Sequence, residues 1–538
     1  MKKLSYIFIG SIISMLVLAS CKKTFLDEKV YSAYAPETLT DSLGLEASLT
    51  GLYNHLSQFY TTSGRQGWLN VWQVGTDIAF AGQPEGIEVP YFNYPLLIST
   101  DAAASFTWSF GYRMINNANI IIANVENPNL GGMTQRNKDQ VDAEAKFFRA
   151  YAYNILTTCF GKVPLVVEPL SGPKTDFVRA PLDEVYKVME EDLLYAATNL
   201  PDIDNVKSNT KGRLYARANK AMAQQLLAEA YLKMNKNDLA EQQAQAVISS
   251  GKFALTTSRY GIRASQPGDP FSDMFIYGNE RRGQGNKEAI WIMEMESPTI
   301  VLGGITNSPQ QRRVWGAAYY QINGMKLTDS LGGRGLARLR LNNWVNYGIY
   351  EPNDMRNSSY NFRRDYWFND PSKPATYGQK VPYAGFDTLY RINPHTTKWY
   401  QFDPNDEFGF AMIKDVPIMR LGETYLLLAE AQFKQGKTVE AAASLNVIRM
   451  RANATPVAPS AVTLDYILDE RVRELVGEEN RRMTLMRTGK LVERANAFNA
   501  ISPINQLTGL TKKYELMPIP QSEIDLNKDA KLEQNPGY

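Results

Sequence analysis

The side chains that carry most enzyme chemistry are scarce in this sequence of 538 residues. Its two histidines, His55 and His395, stand far apart with no cysteine nearby, which leaves little for a zinc site. No Gly-x-Ser-x-Gly occurs, so the nucleophile elbow of an α/β-hydrolase is absent. Gly436-Lys437-Thr438 ends like a phosphate-binding loop, but Ala431 stands where that loop needs its first glycine, and the tripeptide reads as a turn between helices. Asp403-Pro404-Asn405-Asp406-Glu407 offers oxygens of the kind calcium takes, without the glycine and spacing of a calcium loop. A glycosidase pair drawn from the 56 acidic residues would leave no motif, so that chemistry stays open. What is abundant is flat aromatic surface: 30 Tyr, 22 Phe and eight Trp, namely Trp68, Trp72, Trp108, Trp291, Trp315, Trp344, Trp367 and Trp399. Such rings cover apolar faces of a ligand while neighbouring polar groups bond its edges.

One cysteine has a chemistry of its own. Lys2 and Lys3 precede an apolar run from Leu4 to Leu18, then Ala19-Ser20-Cys21. A positive start, a short apolar middle and small residues at the exit make a secretory signal peptide over residues 1–20, too short for a comfortable membrane span. Leu18-Ala19-Ser20-Cys21 resembles the lipobox of bacterial lipoproteins, so Cys21 is expected to carry the lipid and to begin the mature chain, 21–538. The other cysteine, Cys159, lies on an apolar helical stripe and reads as a core residue, leaving no intramolecular disulfide framework. Lys and Arg number 58 against 56 Asp and Glu, so no field of one sign points to nucleic acid or acidic lipid as a partner.

The elements that must position these residues are mostly helical. Trp108, Tyr112, Ile115, Asn119 and Ile122 recur at spacings of three and four, as do Val141, Ala145, Phe148, Ala152, Ile155 and Cys159. The second run should break at Gly161-Lys162-Val163-Pro164. Leu226-Leu227-Ala228-Glu229-Ala230 returns as Leu427-Leu428-Ala429-Glu430-Ala431, with eight identities over 15 positions. Each copy runs into a polar turn and an Ala-rich second helix, the pattern of tetratricopeptide-like hairpins that bury their faces only by stacking. Residues 182–200 supply a further helix. A scaffold over about 140–250 and 417–500 is thus predicted, interrupted by an irregular region, 258–416, rich in Gly, Pro, Asn and aromatics. Ten tyrosines lie between 319 and 400. A long irregular insertion in a compact scaffold is usually functional.

The end of the chain adds specific motifs. Glu470, Arg473, Glu474, Glu478 and Arg482 are spaced so that opposite charges should meet along one side of a helix. Leu516-Met517-Pro518-Ile519-Pro520 and Gln534-Asn535-Pro536-Gly537-Tyr538 close the chain. With the lipobox, Glu144-Ala145-Lys146-Phe147-Phe148-Arg149-Ala150-Tyr151, Phe160-Gly161-Lys162-Val163-Pro164-Leu165 and Lys398-Trp399, these segments resemble the SusD/RagB family of Bacteroidetes outer-membrane nutrient-binding lipoproteins over essentially the whole mature chain. The resemblance implies a mainly α, SusD-like fold, no enzymatic activity and no cofactor. It also implies a lipid-anchored protein facing the cell surface, which captures oligosaccharide, or in some members peptide, for a SusC-like TonB-dependent transporter. Two positions depart from the family pattern: Thr484 stands where an acidic residue is usual, and Lys22-Lys23 follow Cys21 where many surface-exposed relatives are acidic.

Glu470 to Arg487 and the two closing motifs are expected to be structural fasteners, and Trp108 and Trp399 structural rings. The ligand site is expected at Trp68, Trp72 and Asp77, in a segment that commonly approaches ligand in the family, together with Trp315, Tyr319, Tyr320, Arg364 and Trp367 from the irregular region. A glycan binder is the first reading, a RagB-like peptide binder the second and a surface glycosidase the third.

Overall fold

The computed structural model describes residues 41–538 apart from 62–65, 128–129, 211, 302–303, 306–308, 384–387 and 500–502. Cys21 and the leader lie outside the described residues. The longer helices are α1 (Ser42–Tyr60), α2 (Ala102–Val125), α3 (Gln135–Phe160), α4 (Leu182–Asn199), α5 (Lys220–Lys233), α6 (Asn237–Ser249), α7 (Leu421–Lys434), α8 (Thr438–Arg451), α9 (Leu464–Leu475), α10 (Arg481–Arg487) and α11 (Leu491–Asn499). From α2 to α6 each helix packs on the next, α7 packs on α6, and α8 and α9 pack on α7. Several starts are fixed by side chains that take up an orphan N–H of the first turn: Asp101 for α2, Thr134 for α3, Asn219 for α5 and Thr463 for α9.

The central helix is α3, buried on every side from Val141 to Cys159 except for half-buried Lys146. Its end differs from expectation in its cause. The helix stops at Phe160, ahead of Pro164, because Gly161 takes φ +70° and donates its N–H to Thr157 O at 3.1 Å. The chain's own tail, with Arg179, then takes up the last two carbonyls. Met517 N donates to Cys159 O (2.7 Å), while Asn535 Nδ2 and Arg179 Nη2 donate to Phe160 O (3.0 and 3.1 Å). The two closing motifs therefore work as fasteners of a helix end.

The sequence repeat is a structural one. The hairpins α5/α6 and α7/α8 turn at Asn235 (φ 58°) and Gly436 (φ 77°), the same place in each copy and one that only Gly or a small polar residue takes readily. Ala228, Ala244 and Leu428 let the hairpins approach closely. Glu241 of α6 accepts from Gln435 Nε2 (2.8 Å) and Lys437 Nζ (2.6 Å) of the next hairpin.

Two short antiparallel pairs tie the irregular region to this stack. Strand β1 (Ala79–Ala81) pairs with β3 (Leu339–Leu341), and β2 (Ala289–Met293) with β4 (Val416–Arg420). The region has a small core of its own, which includes Tyr319, Ile322, Met325, Tyr366, Phe368 and Ile392.

The acidic and basic residues near the C-terminus do not line one helix face as their spacing suggests. Among them only Arg473–Glu470 (2.8 Å) pairs within α9, because the helix ends at Leu475 and Arg482 belongs to α10. Glu474 instead meets Arg451, Arg420 (2.5 Å) and Arg356 (3.0 Å), from three other parts of the chain. Arg482 donates to Val71 O (2.8 Å), Val74 O (2.5 Å) and Tyr91 O (3.0 Å). Thr484 Oγ1 donates to Glu479 (3.0 Å), keeping a polar link where the family usually has a carboxylate.

Candidate ligand-binding surface

Five of the eight expected ligand residues are core. Trp68 sits on the short helix Gln66–Asn70, donates from Nε1 to Phe59 O (2.9 Å) and stands edge-on to Trp72, with ring centroids 5.3 Å apart. Both rings pack on Phe59 in the main core. Trp315 is 4 % exposed among Val314, Leu339, Leu341 and Met412, and Tyr319 lies stacked on Tyr366. None of these rings offers a face to a ligand. These segments lack a helical stripe, yet short helical turns and β1/β3 pairing bury them just as fully.

Asp77 is likewise a fastener. Its carboxylate takes Arg481 Nε (2.8 Å) and Nη2 (2.6 Å) and Arg494 Nε (2.7 Å), and the residue is wholly buried. Burial by itself would raise this carboxyl, but the two guanidiniums outweigh burial and hold it below the usual range. Arg364 is half-buried, donating to Asn346 O (2.6 Å), Asn357 O (3.2 Å) and Asn357 Oδ1 (2.7 Å), so it clasps two loops together.

Exposed aromatic faces lie elsewhere, Trp367 and the Phe408–Phe410 pair among them. Trp367, at 47 % exposed, is the one exposed tryptophan among the described residues. It pairs across a short antiparallel bridge with Lys380, whose ammonium meets Asp365 (2.8 Å), and exposed Tyr383 donates to Asp365 (3.0 Å) and Arg364 O (2.6 Å).

The second patch lies where the segment after Gln66 meets the irregular region. Here Phe408 and Phe410 are about three-fifths exposed, and the half-buried Tyr320 ring stands edge-on to Phe408 at 6.1 Å. Arg313 lies 4.6 Å, and Arg334 5.0 Å, from the centre of the Phe410 ring. Arg334 also donates to Tyr320 Oη (3.4 Å) and to Phe408 O. Arg338 donates to Gln66 Oε1 (2.6 Å) and pairs with Glu85 (2.9 Å), bringing the N-terminal segment to the edge of the patch. Arg334 is placed by Gly332-Gly333-Arg334-Gly335. Gly333 has φ +76°, and a Cβ on Gly335 would come within 2.2 Å of the Gly316 backbone. Burial, with Arg334 and Arg338 close by, lowers the Arg313 guanidinium to about 10, still charged at neutral pH. Reasoning from tryptophan passes over this patch. Its signal was Phe408-Gly409-Phe410, two large rings in a polar loop.

A family model described as SusD family matches residues 226–538, more than half of the chain. This chain belongs to the SusD family. A second model, described as starch-binding associating with outer membrane, matches residues 24–232. SusD-like protein P25 of Formosa agariphila is 25% identical to this SusD family protein over 534 residues, covering 94% of each chain. The starch-binding protein SusD of Bacteroides thetaiotaomicron is 36% identical over 124 residues, covering 23% of this chain and 22% of its own. Among solved structures, surface glycan-binding protein A from Bacteroides fluxus aligns with TM-score 0.69 at 22% identity, covering 92% of this chain and 99% of its own. Surface glycan-binding protein A from Bacteroides thetaiotaomicron in complex with laminarihexaose aligns with TM-score 0.69 at 20% identity, covering 92% and 100%. These structures share the SusD fold with this chain.

Proposed function

We propose that this SusD family protein is a non-enzymatic lipoprotein of the outer membrane, facing the cell surface, that binds oligosaccharide and delivers it to a SusC-like TonB-dependent transporter. The observation that carries the reading is the patch of Tyr320, Phe408 and Phe410 edged by arginines, on a scaffold whose relatives include proteins named for glycan and starch binding. Exposed rings fit the C–H faces of a sugar, and the guanidinium, phenol and amide groups at their edges fit its hydroxyls.

A stacked ring contributes about 1–3 kcal/mol by analogy with base stacking, so Phe410→Ala should weaken oligosaccharide binding about 5- to 150-fold. The melting temperature should stay near wild type, since the ring is exposed. Calorimetry on a panel of oligosaccharides and peptides measures both the ligand class and the loss. If Trp367→Ala carries the loss instead, the sugar stacks on the first patch. Binding of peptides without any glycan overturns the reading in favour of peptide capture.

The anchor is tested separately. Cys21→Ala should abolish incorporation of labelled fatty acid and weaken membrane attachment, since the acyl chains are the anchor this reading assigns. Continued fatty-acid labelling of the Cys21→Ala variant would refute lipidation at Cys21.

A further inference from the structure

Arginines in this protein fall into two populations. In the helical scaffold Arg420, Arg451, Arg481 and Arg487 each meet a buried carboxylate. At the aromatic patch Arg312, Arg313 and Arg334 have no carboxylate within ion-pair distance among the described residues. Their partners are neutral: Gln401 and Gly409 O for Arg312, Gln310 for Arg313, Tyr320 and Phe408 O for Arg334. The acids around the patch are Glu85, which is paired with Arg338, and Asp403, Asp406 and Glu407 of the loop that carries Phe408, none of them in an ion pair with these three arginines among the described residues. The Nε groups of Arg312 and Arg313 are buried without any hydrogen-bond partner. A chain with formal net charge of only +2 has thus gathered guanidiniums without ion-pair partners beside its exposed rings. Neutral sugars need no such charge. A guanidinium matches a carboxylate or a sulfate ester in a two-pronged geometry that hydroxyls cannot supply.

We propose that the oligosaccharide taken at the Tyr320–Phe408–Phe410 patch is anionic, its charged groups held by half-buried Arg334 and drawn by the charge of buried Arg313 beside Phe410, while its apolar faces lie on the rings. The inference rests on the glycan reading above and narrows it to chains bearing uronate or sulfate.

Affinity electrophoresis and calorimetry of the mature protein against a uronate oligosaccharide, its carboxyl-reduced neutral counterpart, a sulfated oligosaccharide and its desulfated counterpart provide the test. At least one charged chain should bind about tenfold more tightly than its neutral counterpart, with affinity falling as sodium chloride rises from about 50 to about 500 mM. Which charged chain binds identifies the anion. Arg334→Gln should remove most of that preference without changing the melting temperature. Arg313→Gln should act in the same direction, and because Arg313 is nearly buried the half-exposed Arg334 variant decides if it misfolds. Equal binding of charged and neutral chains, or an unchanged preference in Arg334→Gln, overturns the anionic assignment and leaves the glycan reading standing. Failure of every chain, charged or neutral, overturns both.

Discussion

Replacing Glu474 by glutamine should cost the folded protein about 3–5 kcal/mol, the loss expected when one member of a buried ion cluster is neutralised and its partners stay charged. Glu474 is wholly buried and shares its two oxygens among Arg356, Arg420 and Arg451, whose attraction outweighs burial and keeps the carboxyl well below its usual range. The amide keeps the shape and removes the charge, so packing cannot explain the loss. Denaturant unfolding measures it, and a variant as stable as wild type would show that Glu288 and Glu478 suffice to neutralise these arginines. Buried ion pairs of this kind set the acid limit of the protein. Burial would raise Glu430 and Glu470, but Arg487 at the first, and Arg356, Arg473 and Arg449 at the second, bring each down to about 2. A carboxyl whose folded pKa is depressed stabilises fully above its unfolded value, near 4.5, and loses that contribution as pH falls toward about 2. Stability should therefore decline steadily across that window, and a flat profile there would contradict the ion pairing.

The helical frame was legible because periodicity is local. The stripe from Val141 to Cys159 and the repeated Leu-Leu-Ala-Glu-Ala report burial directly, since a helix face meets its neighbour at every third or fourth residue. Partners of charged residues were not legible in the same way. Glu474 finds arginines 23, 54 and 118 positions away, separations that no spacing rule reaches. The candidate ligand surface was the least legible part. Trp68, Trp72 and Trp315 share composition and irregular context with Phe408 and Phe410, and only tertiary packing decides which rings are covered. Tyr319 and Tyr320, adjacent in one turn, make the same point, since the turn buries the first ring and half-exposes the second.

Trp315→Ala separates these two kinds of ring most sharply. Removing a buried tryptophan leaves a cavity that a packed core closes only in part, and the expected cost is about 3–5 kcal/mol. Trp315 lies on the helix Gln311–Trp315 and joins Val74, Ile78 and Leu341 in a core that spans β1, β3 and the irregular region. The loss should therefore appear as a lowered unfolding midpoint, and Trp315→Phe should restore much of it by refilling the space. Phe410→Ala, in contrast, should leave the midpoint in place and weaken binding. Because Arg313 sits on the same five-residue helix, lost binding in Trp315→Ala does not by itself show ligand contact, and the midpoint is the deciding measurement. A Trp315→Ala protein that unfolds like wild type but no longer binds would return this ring to the ligand site and refute the packing described here.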